Sequence, residues 1–411
     1  MEIREINEEE YRKFISTYQF NSIYQTVEYA STMKKQGYNY LFLGAYENYD
    51  IVGASLLLIE KIKGYNYAYA PRGFLIDYTN KELLTNFTRE VKKFLAKKDI
   101  VAVKLSPIIV RNIIDSKKKV IGTNPKFDEI YKNLKELGYY HYGFNSGFEA
   151  YKPRFEAMLD ISKDYRILFK NIKKEFKTKI RSAERQGIKI FRANSNELNL
   201  LYEETKDKYP RDIEYFQDSY KYFNEHDKMD FYYAKLDTSH YLKLIQKKYR
   251  EQEALCSEIN NSVITNKNNS NKLLSRKIDA DRELSTYRAR LIMATDMLKD
   301  YPDGVVLASV LIAKNRGEIF LYMDGMNPKY RNFSAKHLIL WKVIEKYSKL
   351  GFKRFNLGGM PDPRVDNPKL NGLVTFKNNF GSSTIEYLGD LELVTHNIKY
   401  SMYRQAKKGL K

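Results

Sequence analysis

The sequence is poor in the residues and motifs on which the commonest site chemistries depend. Its 411 residues include one cysteine, Cys256, which excludes an intrachain disulfide framework and argues against a cysteine-based zinc site. The five histidines (His141, His226, His240, His337 and His396) are scattered without HExxH or His-x-His spacing, so no metal is expected. A lone histidine such as His337, on an apolar helix face, is expected to be structural. No G-x-S-x-G elbow and no G-x-x-x-x-G-K-[ST] loop occurs, which removes the usual hydrolase and ATP-cradle readings. No run approaches the roughly 18 apolar residues of a membrane-spanning helix; the longest are strand-like stretches such as Val305–Ala313. Met1–Glu10 is acidic and has no apolar core, so no signal peptide is expected. The expectation is a soluble intracellular protein.

Positive charge is abundant. Lys and Arg number 71 against 51 Asp and Glu, a formal charge of +20. Such an excess concentrates polyanions at the surface: RNA, DNA or an anionic membrane face. A hydrophobic fraction of 43% excludes a wholly disordered chain. At about 100–200 residues per domain, the length suggests two or three domains.

Apolar runs at 40–46 and 51–59, separated by Glu47-Asn48-Tyr49-Asp50, predict a hairpin. Strands are predicted at Tyr65–Ala70 and Ile100–Leu105, with a helix at 80–97 between them. The order repeats later, with strands at 156–161, 231–235, 305–313, 318–323 and 354–357 and a helix over 333–350. This alternation predicts an α/β or α+β fold with two similar halves. Residues 163–192 hold eleven Lys/Arg against three Asp/Glu. Lys170, Lys173, Lys174, Lys177, Lys179, Arg181 and Arg185 are placed on one helix ending at Gly187, and the surplus predicts an anion-binding face.

Between the later strands lies a different period. Leu242, Ile245, Tyr249, Gln252, Cys256, Ile259 and Val263 step by alternating three and four. After a polar break at 266–271 come Leu273, Lys277, Ala280, Leu284, Tyr287, Leu291, Ala294 and Leu298. This is the seam of an antiparallel coiled-coil hairpin, with Gln252 and Lys277 as misfits and Cys256 as a seam residue.

The segment Leu321–Leu340 resembles the strand, turn and helix with which the acetyltransferase superfamily cradles coenzyme A. Where that cradle needs glycines, this chain has Arg331-Asn332-Phe333-Ser334-Ala335-Lys336, so coenzyme A is disfavoured although the fold is compatible. Five segments together resemble the FemABX family of peptidoglycan-branching aminoacyltransferases, above all its MurM- and FemA-like members. They are Ala70-Pro71-Arg72-Gly73, Lys179–Gly187, Tyr330-Arg331-Asn332, Phe355–Gly359 and Gly372–Gly381. Their order and spacing match the family over nearly the whole chain, and the helical arm points the same way.

The resemblance implies two acetyltransferase-like (GNAT-like) domains plus the arm. Residues 1–148 with 386–411 form the first domain, 149–239 with 302–385 the second, and 240–301 the arm. It implies transfer of an amino acid from aminoacyl-tRNA to the stem-peptide amine of lipid II or a lipid-linked bridge intermediate. No cofactor is required, because the aminoacyl ester is already activated. The implied location is the cytoplasm, peripherally at the inner, anionic face of the cytoplasmic membrane. Phe376 and Lys377 match a catalytic Phe-Lys pair, in which the Lys holds an oxyanion or a terminal phosphate. Arg211 and Tyr215 match an Arg-x-x-x-Tyr that contacts the precursor. Arg72, in the Pro-Arg-Gly motif, is assigned to substrate binding.

Two positions depart from the family. Gln, Trp and a phosphate-binding Lys at four-residue steps become Gln25, Tyr29 and Met33, with Lys34 and Lys35 as substitutes one and two positions on. An Asp proposed as base becomes Ser106, followed by Pro107, at the catalytic position. These losses keep one other reading open, a non-enzymatic RNA- or membrane-binding adaptor; a coenzyme A-dependent N-acyltransferase is a third reading, disfavoured by the missing glycines.

Overall fold

A computed structural model describes residues 1–20, 22–206, 211–265 and 271–408. Among these, strands assemble into two mixed sheets. The seven-stranded sheet runs in the order Glu2–Ile6, Asn39–Glu47, Asp50–Ile62, Tyr65–Ala70, Ile100–Leu105, Leu391–Val394, Tyr139–His141. The nine-stranded sheet runs Ile188–Ala193, Met229–Leu236, Val305–Asn315, Glu318–Met326, Arg354–Met360, Phe155–Asp160, Ser383–Tyr387, Val110–Ile114, Val120–Thr123.

Both sheets are built alike. Each has an antiparallel meander, then a strand, a crossover helix and a parallel partner strand. In the first, Tyr65–Ala70 pairs in parallel with Ile100–Leu105 across helix Lys81–Lys97. In the second, Glu318–Met326 pairs in parallel with Arg354–Met360 across helix Ala335–Lys349. This is the expected α/β class, built as two units of like topology.

Local sequence explains the crossover helices. The Asn80 side chain accepts from the Leu83 amide, 3.0 Å away, and caps the first turn. Leu84, Phe87, Val91 and Leu95 then recur at three- and four-residue steps and are buried against the sheet.

The sheets do not follow the expected boundary at 148/149. Val110–Ile114 and Val120–Thr123 belong to the edge of the second sheet, where Val110–Ile114 pairs with Ser383–Tyr387. The chain then returns to the first sheet at Leu391–Val394. Strand exchange couples the units, and so does a shared apolar cluster. Tyr11, Phe42 and Leu56 from the first unit pack in it with Phe216, Phe223, Phe231 and Tyr322 from the second.

The basic segment also differs from expectation. It forms two helices, Tyr165–Asn171 and Lys174–Arg185, followed by strand Ile188–Ala193. The break falls at Ile172-Lys173, where the Ile172 side chain turns into the core and the Lys173 amide donates to the Asn379 carbonyl. Phe176, Ile180 and Ala183 are buried at helical spacing, which leaves the charged positions outward.

Two long helices, Thr238–Thr265 and Asn271–Asp300, pack against each other, the start of one beside the end of the other. The polar connection at 266–270 lies outside the described residues. Cys256, Ile259 and Ala280 are buried between them, with Val263, Leu273 and Leu284 packed alongside. Gln252, a misfit by polarity, is buried because its Nε2 donates to the Ala280 carbonyl at 3.1 Å. At the base Met297, rather than Leu298, joins Ala294 and Ile245 in the core of the second sheet.

Because this pair touches the sheets only at its base, damage to its middle stays local. Leu284→Pro removes a helix hydrogen bond and costs about 3 kcal/mol. Circular dichroism should show lost helix with an unchanged melting transition of the sheet units; unfolding of the whole chain would contradict a separable arm.

Candidate active site

The turn after Tyr65–Ala70 organises the contact between the two sheets. Gln25, fully buried, donates from Nε2 to the Pro71 carbonyl at 2.8 Å and to that of Leu56 at 3.2 Å. Its Oε1 accepts from the Tyr11 hydroxyl and the Leu56 amide. The Pro-Arg-Gly turn is thus clamped from below. Gly73 is required there, since a Cβ would sit 2.5 Å from Ser55 Oγ.

The clamp aims Arg72 across to the second sheet. Its Nη2 meets Glu156 Oε1 at 2.5 Å and the Pro153 carbonyl at 2.8 Å, and the guanidinium lies 4.5 Å from the Tyr387 ring centre. Both charged groups are buried. Burial opposes the charge on Arg72, but Glu156 beside it outweighs burial and raises its pKa above the ordinary value. Glu156 Oε2 also accepts from Asn356 Nδ2 at 2.8 Å and from the Tyr387 hydroxyl at 3.3 Å.

Next to this pair lies a cradle of tyrosines. The Lys152 ammonium sits 3.3 Å from the Tyr24 ring centre and 5.6 Å from that of Tyr29. Arg211 lies 4.0 Å from the Tyr215 ring centre, and the Tyr215 hydroxyl is 2.5 Å from that of Tyr322. Helix Ile213–Asn224, capped by Asp212, holds Tyr215 in place. Burial pushes the Lys152 pKa well below the ordinary lysine value, and the positive charges of Arg72 and Arg211 push it further. On the far side the Tyr69 hydroxyl is 3.2 Å from Ser106 Oγ, which donates to Asp390 Oδ1 at 2.6 Å. Asp390 Oδ2 is held by Lys104 at 3.0 Å and the Tyr151 amide at 2.9 Å.

On the other side of Glu156 the second sheet opens. Glu318–Met326 and Arg354–Met360 pair only from Glu318/Arg354 to Phe320/Asn356 and then part. Lys377, on helix Asn371–Asn378, is buried at that gap with Nζ 2.7 Å from the Gly359 carbonyl. Gly359 must lack a side chain, because a Cβ would meet Pro153 at 2.3 Å. Burial pushes the Lys377 pKa down to about 8, and Lys336 pushes the same way against Asp324 and Glu156. Lys336 is itself ion-paired with Asp324, where a coenzyme A cradle would need glycines. Phe376 packs with Phe176, His337 and Phe380. Burial lowers the His337 pKa to about 4, so this histidine is neutral at pH 7 and part of an aromatic cluster.

The structure therefore gathers Arg72, Arg211, Tyr215, Ser106 and Lys377 into one largely buried cluster about Glu156 and Lys152, with Phe376 supporting Lys377. It does not bring Lys34 and Lys35 into the cradle. Both are exposed at the end of helix Val27–Lys35, Lys34 lies 5.9 Å from the Tyr40 ring centre, and Met33 packs into the core. Lys170, Lys173, Lys174 and Arg181 are exposed outside the cradle, and Lys177 donates to the Lys170 carbonyl at 3.0 Å. Lys152 and Glu156 escaped the sequence reading. They sit where the chain enters strand Phe155–Asp160, and neither belongs to a motif or a periodic face. No helix among the described residues is long and apolar enough to cross a membrane.

The chain is similar to known proteins over nearly its whole length. The FemAB family model matches residues 6–408. The chain is similar to aminoacyltransferase FemA of Staphylococcus epidermidis, 24% identical over 370 residues that cover 87% of each chain. It is equally similar to the lipid II:glycine glycyltransferase of Staphylococcus haemolyticus, 24% identical over 421 residues covering 100% of this chain and 97% of the relative. Its fold matches the crystal structure of FemX with a TM-score of 0.73 and 21% identity, covering 98% and 99% of the two chains. One family model spans nearly the whole chain, its relatives are of similar length, and FemX shares the fold: the protein belongs to the FemAB family.

Proposed function

We propose that this chain transfers an amino acid from aminoacyl-tRNA to the stem-peptide amine of a peptidoglycan precursor, lipid II or a lipid-linked bridge intermediate. Membership of the FemAB family and the names of the two relatives support the reaction class. The observation that carries the assignment is the pair of cationic stations flanking Glu156. Lys377 stands at the sheet opening, and Arg211 with Lys152 stands in the tyrosine cradle.

The chemistry divides between them. The acceptor amine attacks the aminoacyl ester carbon, forming a C–N bond and an oxyanion. The C–O bond to the terminal ribose then breaks, and the amine's surplus proton passes to the departing ribose oxygen. The Lys377 ammonium stabilises the oxyanion, and Phe376 fixes its approach. Arg211 and Tyr215 hold the anionic precursor, since a guanidinium fork matches a phosphate's paired oxygens. Arg72 shapes that subsite from its buried pair with Glu156. Ser106 orders the wall through Tyr69 and Asp390, a positioning role consistent with a hydroxyl that cannot serve as base. The face carrying Lys170, Lys173, Lys174, Lys177 and Arg181 meets the tRNA or the anionic inner membrane surface, where the enzyme works from the cytoplasm.

Lys377→Met keeps the side chain's bulk and removes its charge. Transfer of labelled amino acid from charged tRNA to lipid II should fall on the order of 10²–10³-fold, as for loss of an oxyanion donor. Arg211→Ala should instead raise KM for the precursor more than it lowers kcat. Wild-type rates in both variants would displace the site, and no transfer by the wild type from any charged tRNA would favour a binding adaptor.

The pH profile offers an independent check. The Lys377 ammonium is present below its pKa of about 8 and lost above it. The rate should therefore fall as pH rises through that value, and in Lys377→Arg the fall should move to higher pH. A rate that keeps climbing well above pH 8 in the wild type would contradict a charged Lys377.

Reversal of Lys173, Lys174 and Lys177 to Glu should weaken tRNA or anionic-vesicle binding by about tenfold at low salt, and wild-type binding should fall steeply as salt rises. Salt-independent binding would contradict an electrostatic face.

A further inference from the structure

A second cationic site lies at the opposite end of the nine-stranded sheet. A cavity of about 810 Å³ opens between helix Glu8–Thr17 and the turn joining Val305–Asn315 to Glu318–Met326. Six cations line it: Arg12, Arg192, Lys228, Lys314, Arg316 and Lys346. Helix Ala335–Lys349 gives the separation from the active site. Lys336 stands by Phe376 and Lys346 lines the cavity, ten residues and about 15 Å apart along the axis.

Three carboxylates answer the six cations. Glu28 takes Arg12 at 2.5 Å and Lys228 at 3.0 Å. Asp227 lies 2.8 Å from Lys314 and 3.8 Å from Arg192, and buried Asp230 pairs with Arg192 and stands 3.4 Å from Lys314. Three positive charges are left uncompensated. Arg316 reaches only the Tyr18 backbone carbonyl, and Lys346 donates to the Tyr232 hydroxyl. Neither has a carboxylate within ion-pair distance among the described residues.

Burial pushes the Lys346 pKa below the ordinary lysine value, and Arg192 and Lys314 add to the push against Asp230. An anion beside it would relieve both effects. The cavity is also partly apolar, with Leu350 and Phe352 offering a surface for a ring. Its volume falls in the range of small-molecule sites, about 300–1,000 Å³.

We propose that this cavity binds a diphosphate-bearing nucleotide, with Arg316, Lys346 and Arg12 on the phosphates and the base against Phe352 and Leu350. The ligand would touch both units at once, because Arg12 belongs to the first and Arg316 and Lys346 to the second. It would therefore brace them on the side opposite the active site.

Titration calorimetry of the full chain with ADP at fixed ionic strength tests this, with inorganic pyrophosphate and adenosine as separate probes. ADP should bind, pyrophosphate should compete with it, and adenosine alone should bind far more weakly. Arg316→Glu and Lys346→Gln should each weaken ADP roughly tenfold or more, a change of about 1.4 kcal/mol, while Arg211→Ala leaves it unchanged. Melting curves identify any variant that fails to fold, and Arg316→Gln, a milder change at an exposed position, then replaces the reversal. Two results would overturn the proposal. One is no ADP binding by the wild type. The other is binding that survives in Arg316→Gln and Lys346→Gln but is lost in Arg211→Ala, which would place ADP in the tyrosine cradle.

Discussion

A guanidinium and a carboxylate withdrawn from water hold the two sheets in register. Arg72 leaves the first sheet in a turn clamped by Gln25, and Glu156 stands on a central strand of the second. Neither charge is stable in that setting alone, because the desolvation of each is compensated only by the other and by its hydrogen bonds. Glu156 is saturated by Arg72, Asn356 and Tyr387, and Arg72 by Glu156, Pro153 and the Tyr387 ring. The relative position of the sheets is therefore set by directional bonds as well as by the apolar cluster they share.

The site follows from this constraint. On one side of Glu156, strands Glu318–Met326 and Arg354–Met360 part and admit Lys377. On the other, Lys152 and Arg211 occupy a tyrosine cradle. Lys152 is placed there with aromatic faces for neighbours and two arginine charges within reach, an arrangement that leaves it short of a counter-ion. Met33 and Ser106, the two positions expected from the sequence to depart from the family pattern, stand near groups that supply charge by other means. Lys152 brings a cation from a different segment, and Asp390 brings a carboxylate to Ser106.

Much of the fold was legible because its signals are local. Tyr65–Ala70 and Ile100–Leu105 are apolar and bounded by turn residues, and they form the strands expected of them. The seam of the helical pair, from Leu242 to Ala294, is written in its three-four spacing, and only its last position shifts, from Leu298 to Met297. Elements whose identity depends on distant partners were not legible. Val110–Ile114 is a strand because Ser383–Tyr387, some 270 residues away, pairs with it. Ile188–Ala193 was absorbed into a basic run whose charges mask the alternation of an edge strand. The site divided in the same way. Lys377, Phe376, Arg211 and Arg72 lie in contiguous motifs, whereas Lys152 and Glu156 acquire meaning only when Arg72 arrives from the other sheet.

The claim at the centre is that Arg72 and Glu156 act as one unit. A double-mutant cycle followed by denaturant melting measures this directly, using Arg72→Met, Glu156→Gln and the pair together. Each single change should cost about 3–5 kcal/mol by leaving its partner buried and unpaired. The double variant should cost little more than either single change. Costs that simply add would show that the two residues stabilise the fold independently and would contradict the account.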